Sequence, residues 1–326
     1  MRRLPGPFLL AFALLAGVAA AASAAEPPGY PIRTITLINP AAAGGSNEII
    51  KAVVFDRLAA ALGVPIVMES KGGGGGTVGA VAAAAAAPDG YTLLLAGAGI
   101  VATSPATRKD LGYDPVRDFT PIVTMIDASL MLVVPRTSPA RTAREFVDLA
   151  RAAPGRLNYG SYGPGSASFL AFELFKTIAD IDVVHVGYRG GAPLTLALRT
   201  GEVQASFDFV QSVRPRAQAG EIRVLGAAAA RRSPLLPDVP PRAERGCPME
   251  AGGVQMLLAP AGLAPEVADR LNAEINRILM LPDVRAKLAD AGYEIVGGTR
   301  DEAARQIAND LAKWQGLVRR IGFQPQ

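Results

Sequence analysis

The sequence predicts an α/β protein built as two similar lobes around a ligand cleft. Three observations carry that reading. Apolar strand-like runs alternate with segments of helical period through most of residues 33–230, a pattern that implies mainly parallel sheets covered by helices. The strands number roughly ten or eleven, which is many for a single ordinary sheet. No low-complexity linker or short-period repeat interrupts the chain, so the hinges between lobes fall at short connections, near residues 128 and 228.

The elements follow in order. "RTITLIN" (33–39) reads as a strand. Helical spacing runs from Glu48 to Leu62 and stops at Gly63. "PIVME" (65–69) is a strand, Val78 to Ala87 a helix, and "YTLLLA" (91–96) a strand. "LMLVVP" (130–135) precedes a capping box, Thr142 with Glu145, at the head of the next helix. "RLNYGS" is a strand, and Ser166 caps a helix through Thr177. "VVHVGY" is a strand, and Pro193 opens a helix that Gly201 ends. "VQASFDF", "IRVLGAA" and "QMLLAP" are further strands. Helices then begin near Pro265, Pro282 and Thr299, the last with a second capping box to Glu302. These C-terminal helices are expected to return to the first lobe.

The N-terminus is read separately. Arg2 and Arg3 precede an uncharged apolar run from Phe8 to about Ala22, which closes on Ala22-Ser23-Ala24. This is the form of a cleaved secretory signal peptide over residues 1–25, cut after Ala24 or Ala25. The leader takes two of the 33 basic residues and none of the 29 acidic ones, leaving a chain near neutrality. With no Lys/Arg-rich block, nucleic acid is not an expected partner. Cys247 is the single cysteine. An exported chain with no internal disulfide fits a bacterial periplasm.

Counting also narrows the chemistry. His185 is the single histidine, so zinc sites needing several His or Cys ligands are ruled out. No D-x-[DN]-x-[DN]-G calcium loop occurs. We therefore expect no metal and no cofactor. A serine hydrolase would have to combine Ser161, His185 and Asp208. Its G-x-S-x-G elbow fails at Tyr159, and His185 lies in an apolar strand-like run that suits a packed structural role.

The stretch "ESKGGGGGTVGA" (69–80) spells G-x-G-x-x-G from Gly74, between a strand and a helix. A dinucleotide fold would add an acid at the end of the following strand. That strand ends "LLLAGAG", and no G-K-[ST] is present for a P-loop. A tight turn with close helix–strand packing, or a cleft lining, remains. Two further strand-to-helix loops, "NPAAAGGSNE" (39–48) and "YGSYGPGSAS" (159–168), end in small residues carrying hydroxyl or amide groups. Helix starts of this kind present free N–H groups and a positive dipole end, which suit a carboxylate or phosphate. One such loop from each lobe would clamp a small anion.

With these residues in view, the chain resembles the Bug family of periplasmic solute receptors of tripartite tricarboxylate transporters. The resemblance spans nearly all of residues 30–326. It rests on "YPIRTITLI", "GGSNEI", "APDGYTLLLAG", "YDPVRDFTPI", "PGRLNYGSYGPGSAS", "VVHVGYRGGAPL", "RRSPLLPDVP" and "LLAPAGLAP", in that order. It implies a type II periplasmic-binding-protein fold with residues 26–128 and 229–326 in lobe 1 and 129–228 in lobe 2. It also implies no enzymatic activity. The expected partners are a small organic anion, in this family usually a carboxylate, and the membrane subunits of a transporter or else a sensor protein. The chain is expected to act as a monomer.

Carried over by position, the ligand contacts implied are Ala43, Gly44, Gly45, Ser46 and Asn47 in the first loop, and Gly97 and Ala98 after the third strand. In the second lobe they are Ser161, Gly165, Ser166, Ala167, Ser168 and Asp208. Arg189 in "GYRGG" is either a competing bidentate anchor or a solvated loop charge. The chain departs from the family pattern in three places. In the first loop Ala41 and Ala43 stand where the family carries an aromatic and a proline, and Glu48 replaces an aspartate. Phe169 stands where His is frequent. Val254 and Gln255 replace an aromatic pair. The departures bear on the ligand and leave the fold untouched.

Overall fold

The computed structural model describes residues 29–41, 46–188, 191–228, 249 and 251–325. Strand β1 (Ile35–Asn39) leads to a helix that begins as α1 (Ser46–Ile50), passes through a π-helical turn (Lys51–Phe55) and ends as α2 (Asp56–Leu62). Gly63, at φ 73°, closes it in the left-handed region that glycine adopts without strain. Next come β2 (Ile66–Ser70), α3 (Thr77–Ala84) and β3 (Thr92–Gly97). A second π-helical turn (Gly99–Thr103) continues into α4 (Ser104–Thr107), and β4 (Phe119–Asp127) follows.

The second group comprises β5 (Leu130–Pro135), α5 (Ala143–Ala152), β6 (Asn158–Ser161) and α6 (Ala167–Ala179). It continues through β7 (Val184–Gly187), α7 (Gly191–Thr200), β8 (Ala205–Phe209), α8 (Val210–Gln218) and β9 (Ile222–Ala227). The chain then returns as β10 (Gln255–Pro260), α9 (Pro265–Leu279), α10 (Pro282–Asp290), β11 (Glu294–Ile295) and α11 (Arg300–Arg320).

Two sheets result. The first has the order β11-β4-β10-β3-β1-β2 and the second β7-β6-β8-β5-β9. The sequence leads one to expect mainly parallel sheets; the structure corrects this. β1 pairs β2 and β3 in parallel, and β6 pairs β7 and β8 in parallel, whereas β10, β11 and β5 all pair antiparallel. The cause is the connection between sheets. Only Ala128 and Ser129 separate β4 from β5, so no crossover helix sets their direction. β10 re-enters between β3 and β4, running against both.

The crossing segments are tied together. The Ala128 and Gly253 backbones exchange hydrogen bonds of 3.3 and 2.9 Å, and Ala228 N–H donates to the Leu130 carbonyl at 2.7 Å. One hydrophobic cluster runs through this junction, joining Leu94 and Met256 of the first sheet to Leu132 and Phe207 of the second. In the second lobe Tyr159 stacks on Phe172 with centroids 3.9 Å apart, among Phe146, Phe175 and Phe207. Helix α11 carries the Thr299–Glu302 capping box in full. It packs on β4 and also reaches α6 of the second lobe, with buried Trp314 in the shared cluster. Among the described residues no helix is long and apolar enough to cross a membrane.

Candidate functional site

The two sheets direct the C-terminal ends of their parallel strands toward a common cleft, the position that ligands favour in open α/β sheets. Its volume is about 660 Å³. Of the residues expected there, Gly97, Ala98, Gly165, Ser166, Ala167 and Asp208 form its wall. The cleft is tight at one edge, where a side chain added to Gly165 would meet Thr107 Oγ1 of the first lobe at 3.0 Å. Gly165 has φ 78° as well, so both space and backbone require glycine there.

Helix α6 opens on this cleft. Ser166 takes the N-cap position in extended conformation, and its Oγ accepts from the Phe169 N–H at 3.3 Å. The N–H groups of Ala167 and Ser168 have no partner among the described residues, which leaves two aligned donors at the positive end of a 13-residue helix. The Ser168 hydroxyl turns inward instead: it is fully buried and accepts from the Tyr162 N–H at 3.1 Å. Ser168 is not part of the cleft wall.

Ser161 is also withdrawn from the cleft. It is fully buried, its Oγ accepts from the Gly163 N–H at 3.0 Å, and it lies 2.7 Å from His185 Nε2. Burial lowers the pKa of His185, with Glu173 acting the other way. The ring packs edge-on to Phe169 at 4.8 Å. The third member of the imagined triad serves other groups. Asp208 Oδ1 accepts from the Tyr162 hydroxyl at 2.5 Å and the Phe209 N–H at 2.8 Å, and Oδ2 faces Arg216 at 3.4 Å. Buried Ser161 and half-buried His185 thus form a structural pair that links β6 to edge strand β7.

Burial raises the Asp208 pKa, an effect that the Tyr162 hydrogen bond and Arg216 oppose. Asp208 sits beside a second helix start, that of α8. There the N–H groups of Gln211 and Ser212 lack partners among the described residues and face the same cleft. Two helix N-termini of the second lobe therefore reach the cleft.

The first-lobe loop lies partly outside the described residues: Ala43, Gly44 and Gly45 do, as does the side chain of Ser46. So does Arg189 of the second lobe. Asn47 is described and buried. Its Nδ2 donates to Asn39 Oδ1 at 2.7 Å, and Asn39 Oδ1 also accepts from the Ala41 N–H at 3.1 Å. Asn47 lines a smaller adjoining space of about 360 Å³, which shares Gly75, Gly97, Gly99 and Gln255 with the main cleft.

The glycine run does two jobs. Gly73 to Gly76 all have positive φ, from 56° to 124°, a path that other residues follow only under strain. It brings Gly75 to the cleft wall beneath Arg108, whose guanidinium lies 3.2 Å from where a Gly75 side chain would begin. Gly79 lets α3 close on the end of β1, since a Cβ there would meet Pro40 Cα at 2.9 Å. Close packing and cleft lining, the two alternatives open in the sequence, are both present.

Sequence reading misses Thr107, Arg108, Tyr162 and Gln211 as cleft residues. The segment holding Thr107 and Arg108 begins with Gly99 and contains Pro105, so it reads as a loop rather than as the helix that aims them. Gln211 lies in α8, whose internal Pro215 hides the helical pattern. Tyr162 stands in a recognised loop, and no spacing marks it. Gln255 is legible, as a departure from the family's aromatic pair.

The model of the tripartite tricarboxylate transporter family receptor matches residues 50–323. The chain belongs to this family. BugT of Bordetella pertussis is 31% identical over 313 residues, covering 95% of each chain. Among solved structures, Rpa4515 of Rhodopseudomonas palustris, with adipate, is 31% identical with a TM-score of 0.78, over 91% of this chain and all of that one. MatC of the same organism, with bound malate, is 30% identical with a TM-score of 0.73, over 89% of this chain and all of that one. The chain is thus a solute-binding receptor with the two-lobed periplasmic-binding-protein fold. Family and neighbours are binding proteins rather than enzymes, and receptors of this family are periplasmic.

Proposed function

We propose that this receptor captures a small organic carboxylate in the interlobe cleft and presents it to the membrane subunits of a tripartite tricarboxylate-type transporter. The observation that carries the reading is the start of α6, where the Ala167 N–H, which has no partner among the described residues, lines the cleft beside Gly165 and Ser166. The α8 start supplies two more. Charge-assisted hydrogen bonds contribute about 1.5–3 kcal/mol each. Three or four of them support an affinity near micromolar, about −8 kcal/mol, after ordering costs.

The first loop, Ala43 to Asn47, closes the site from lobe 1 with Gly97 and Ala98. Lobe 1 comprises residues 26–128 and 229–326 and lobe 2 residues 129–228; the first sheet draws its strands from the former ranges and the second from the latter. The chain is exported by a leader cut after Ala24 or Ala25 and works as a monomer. Mass spectrometry of periplasmic protein should find Ala25 or Glu26 at the N-terminus; intact Met1 in a membrane fraction would refute export by cleavage.

A thermal-shift screen of mono-, di- and tricarboxylates, followed by calorimetry, tests the reading. Gly165→Val should weaken binding at least about tenfold, because the branched side chain meets Thr107 and blocks the approach of the lobes. Ser166→Ala should cost about 1 kcal/mol through the lost cap. If Arg189→Ala or Arg108→Ala abolishes binding while Gly165→Val leaves it intact, a charge-paired site replaces the helix-terminus clamp.

A further inference from the structure

Five buried side-chain polar atoms lack any hydrogen-bond partner among the described residues: Thr124 Oγ1, Asp127 Oδ1, Gln211 Oε1, Gln255 Oε1 and Arg300 Nε. Two of the five belong to glutamines that line the same cleft. They come from opposite lobes. Gln255 begins β10, paired with Gly97 of β3. Gln211 lies in the first turn of α8. Each is held by a glycine. A Cβ on Gly97 would meet the Gln255 amide at 3.3 Å, and a Cβ on Gly292 would meet Gln211 Cγ at 2.7 Å. The backbone has thus made room for two amides whose acceptors find nothing to bind. A buried acceptor left unpaired costs more than an ordinary hydrogen bond returns, so such groups in a ligand cleft point to a partner that arrives with the ligand.

The geometry points to a polar subsite: Gln211 and Gln255 recognise a hydroxyl group on the carbon chain of the bound carboxylate, making the protein a receptor for hydroxy acids over their unsubstituted counterparts. This rests on the carboxylate reading above and names the class within it. A primary amide carries one acceptor and one donor group, whichever way round it is set. A hydroxyl both donates and accepts, so it satisfies either orientation. The carboxylate end does not compete for these side chains, because the helix starts offer it N–H groups. Asp208 does not serve the hydroxyl either, because Tyr162, Phe209 and Arg216 already occupy its two oxygens.

The test is calorimetry on pairs that differ by a single hydroxyl: propionate and lactate, succinate and malate, glutarate and 2-hydroxyglutarate, adipate and 3-hydroxyadipate. In the native protein the hydroxylated member of at least one pair should bind at least about tenfold tighter, since a site built to bond a hydroxyl discriminates against its absence. In Gln211→Met/Gln255→Met, which keeps the length and removes the hydrogen bonds, that ratio should fall to near one. The ligand-free double variant should melt at the same or a higher temperature, because two unpaired acceptors are gone. Carboxylate binding without preference for the hydroxyl, or a preference that survives in the double variant, overturns the subsite and leaves carboxylate capture standing. Failure of every acid to bind the native protein overturns both.

Discussion

Replacing Asp127 should make this protein more stable, and only above a certain pH. Asp127 ends β4, directly opposite Glu294 of β11, at the point where the chain crosses between sheets. Like charges facing across a strand pair are unfavourable, and Asp127 Oδ1 is buried without a partner. Burial first, then the Glu294 carboxylate, push its pKa up to about 6, against the opposing pull of the Ala128 and Gly253 N–H groups. An ordinary aspartate titrates near 3.9. Because the folded value is the higher one, the folded state binds the proton more tightly. The group favours folding fully below about pH 4, and that advantage is lost as pH rises through 6. A shift of about two units corresponds to about 3 kcal/mol. Asp127→Asn abolishes the titration and keeps the shape. The variant should match the native protein near pH 4 and exceed it by about 3 kcal/mol at pH 7.5, measured by urea unfolding at several pH values. Glu294→Gln should move the window to lower pH. A gain that is equal at pH 4 and 7.5, or a loss at every pH, would refute the electrostatic account.

Two further outcomes are expected. Thr299→Ala removes the Oγ1 that accepts from Glu302 N–H at 3.2 Å at the head of α11, and should cost about 1 kcal/mol in urea unfolding. Two lobes joined by short crossings should close by hinge bending, so small-angle scattering with a saturating acid should show a smaller radius of gyration; an unchanged radius with confirmed tight binding would indicate a rigid site.

How far the sequence reaches differs between fold and site. The parallel strands β1, β2, β6 and β7 and the helices that follow them are legible because each lies in a local strand–loop–helix unit with its own period. β4 is not, and Pro121 is the reason: proline removes a ladder donor and argues against a strand. The sheet accepts it because the register with β10 shifts beside Leu258, its partner. Strand direction is equally hidden, since it depends on where β10 inserts, a contact between segments far apart in sequence. At the site, neighbouring glycines and a helix cap mark Gly165 and Ser166 in the sequence itself. The inward turn of Ser161 and Ser168 does not show, because a hydroxyl in a loop reads the same whether it faces solvent or its own backbone. Arg108 and Gln211 become cleft residues only through helices whose prolines obscure them.

The return of β10 governs how this molecule can be made. β10 is the one strand that joins β2-β1-β3 to β4-β11 in the first sheet, and it is synthesised after the whole of the second sheet. Until residue 255 has emerged, the first lobe exists as the group β2-β1-β3 and a lone β4, with bare edges of the kind that pair with the wrong partner. No continuous N-terminal fragment can therefore fold as a finished lobe. Residues 130–227, in contrast, carry a complete second sheet on one uninterrupted stretch of chain. The threading has a direct consequence: a late segment of the sequence supplies the strand that joins the earlier strands of the first sheet.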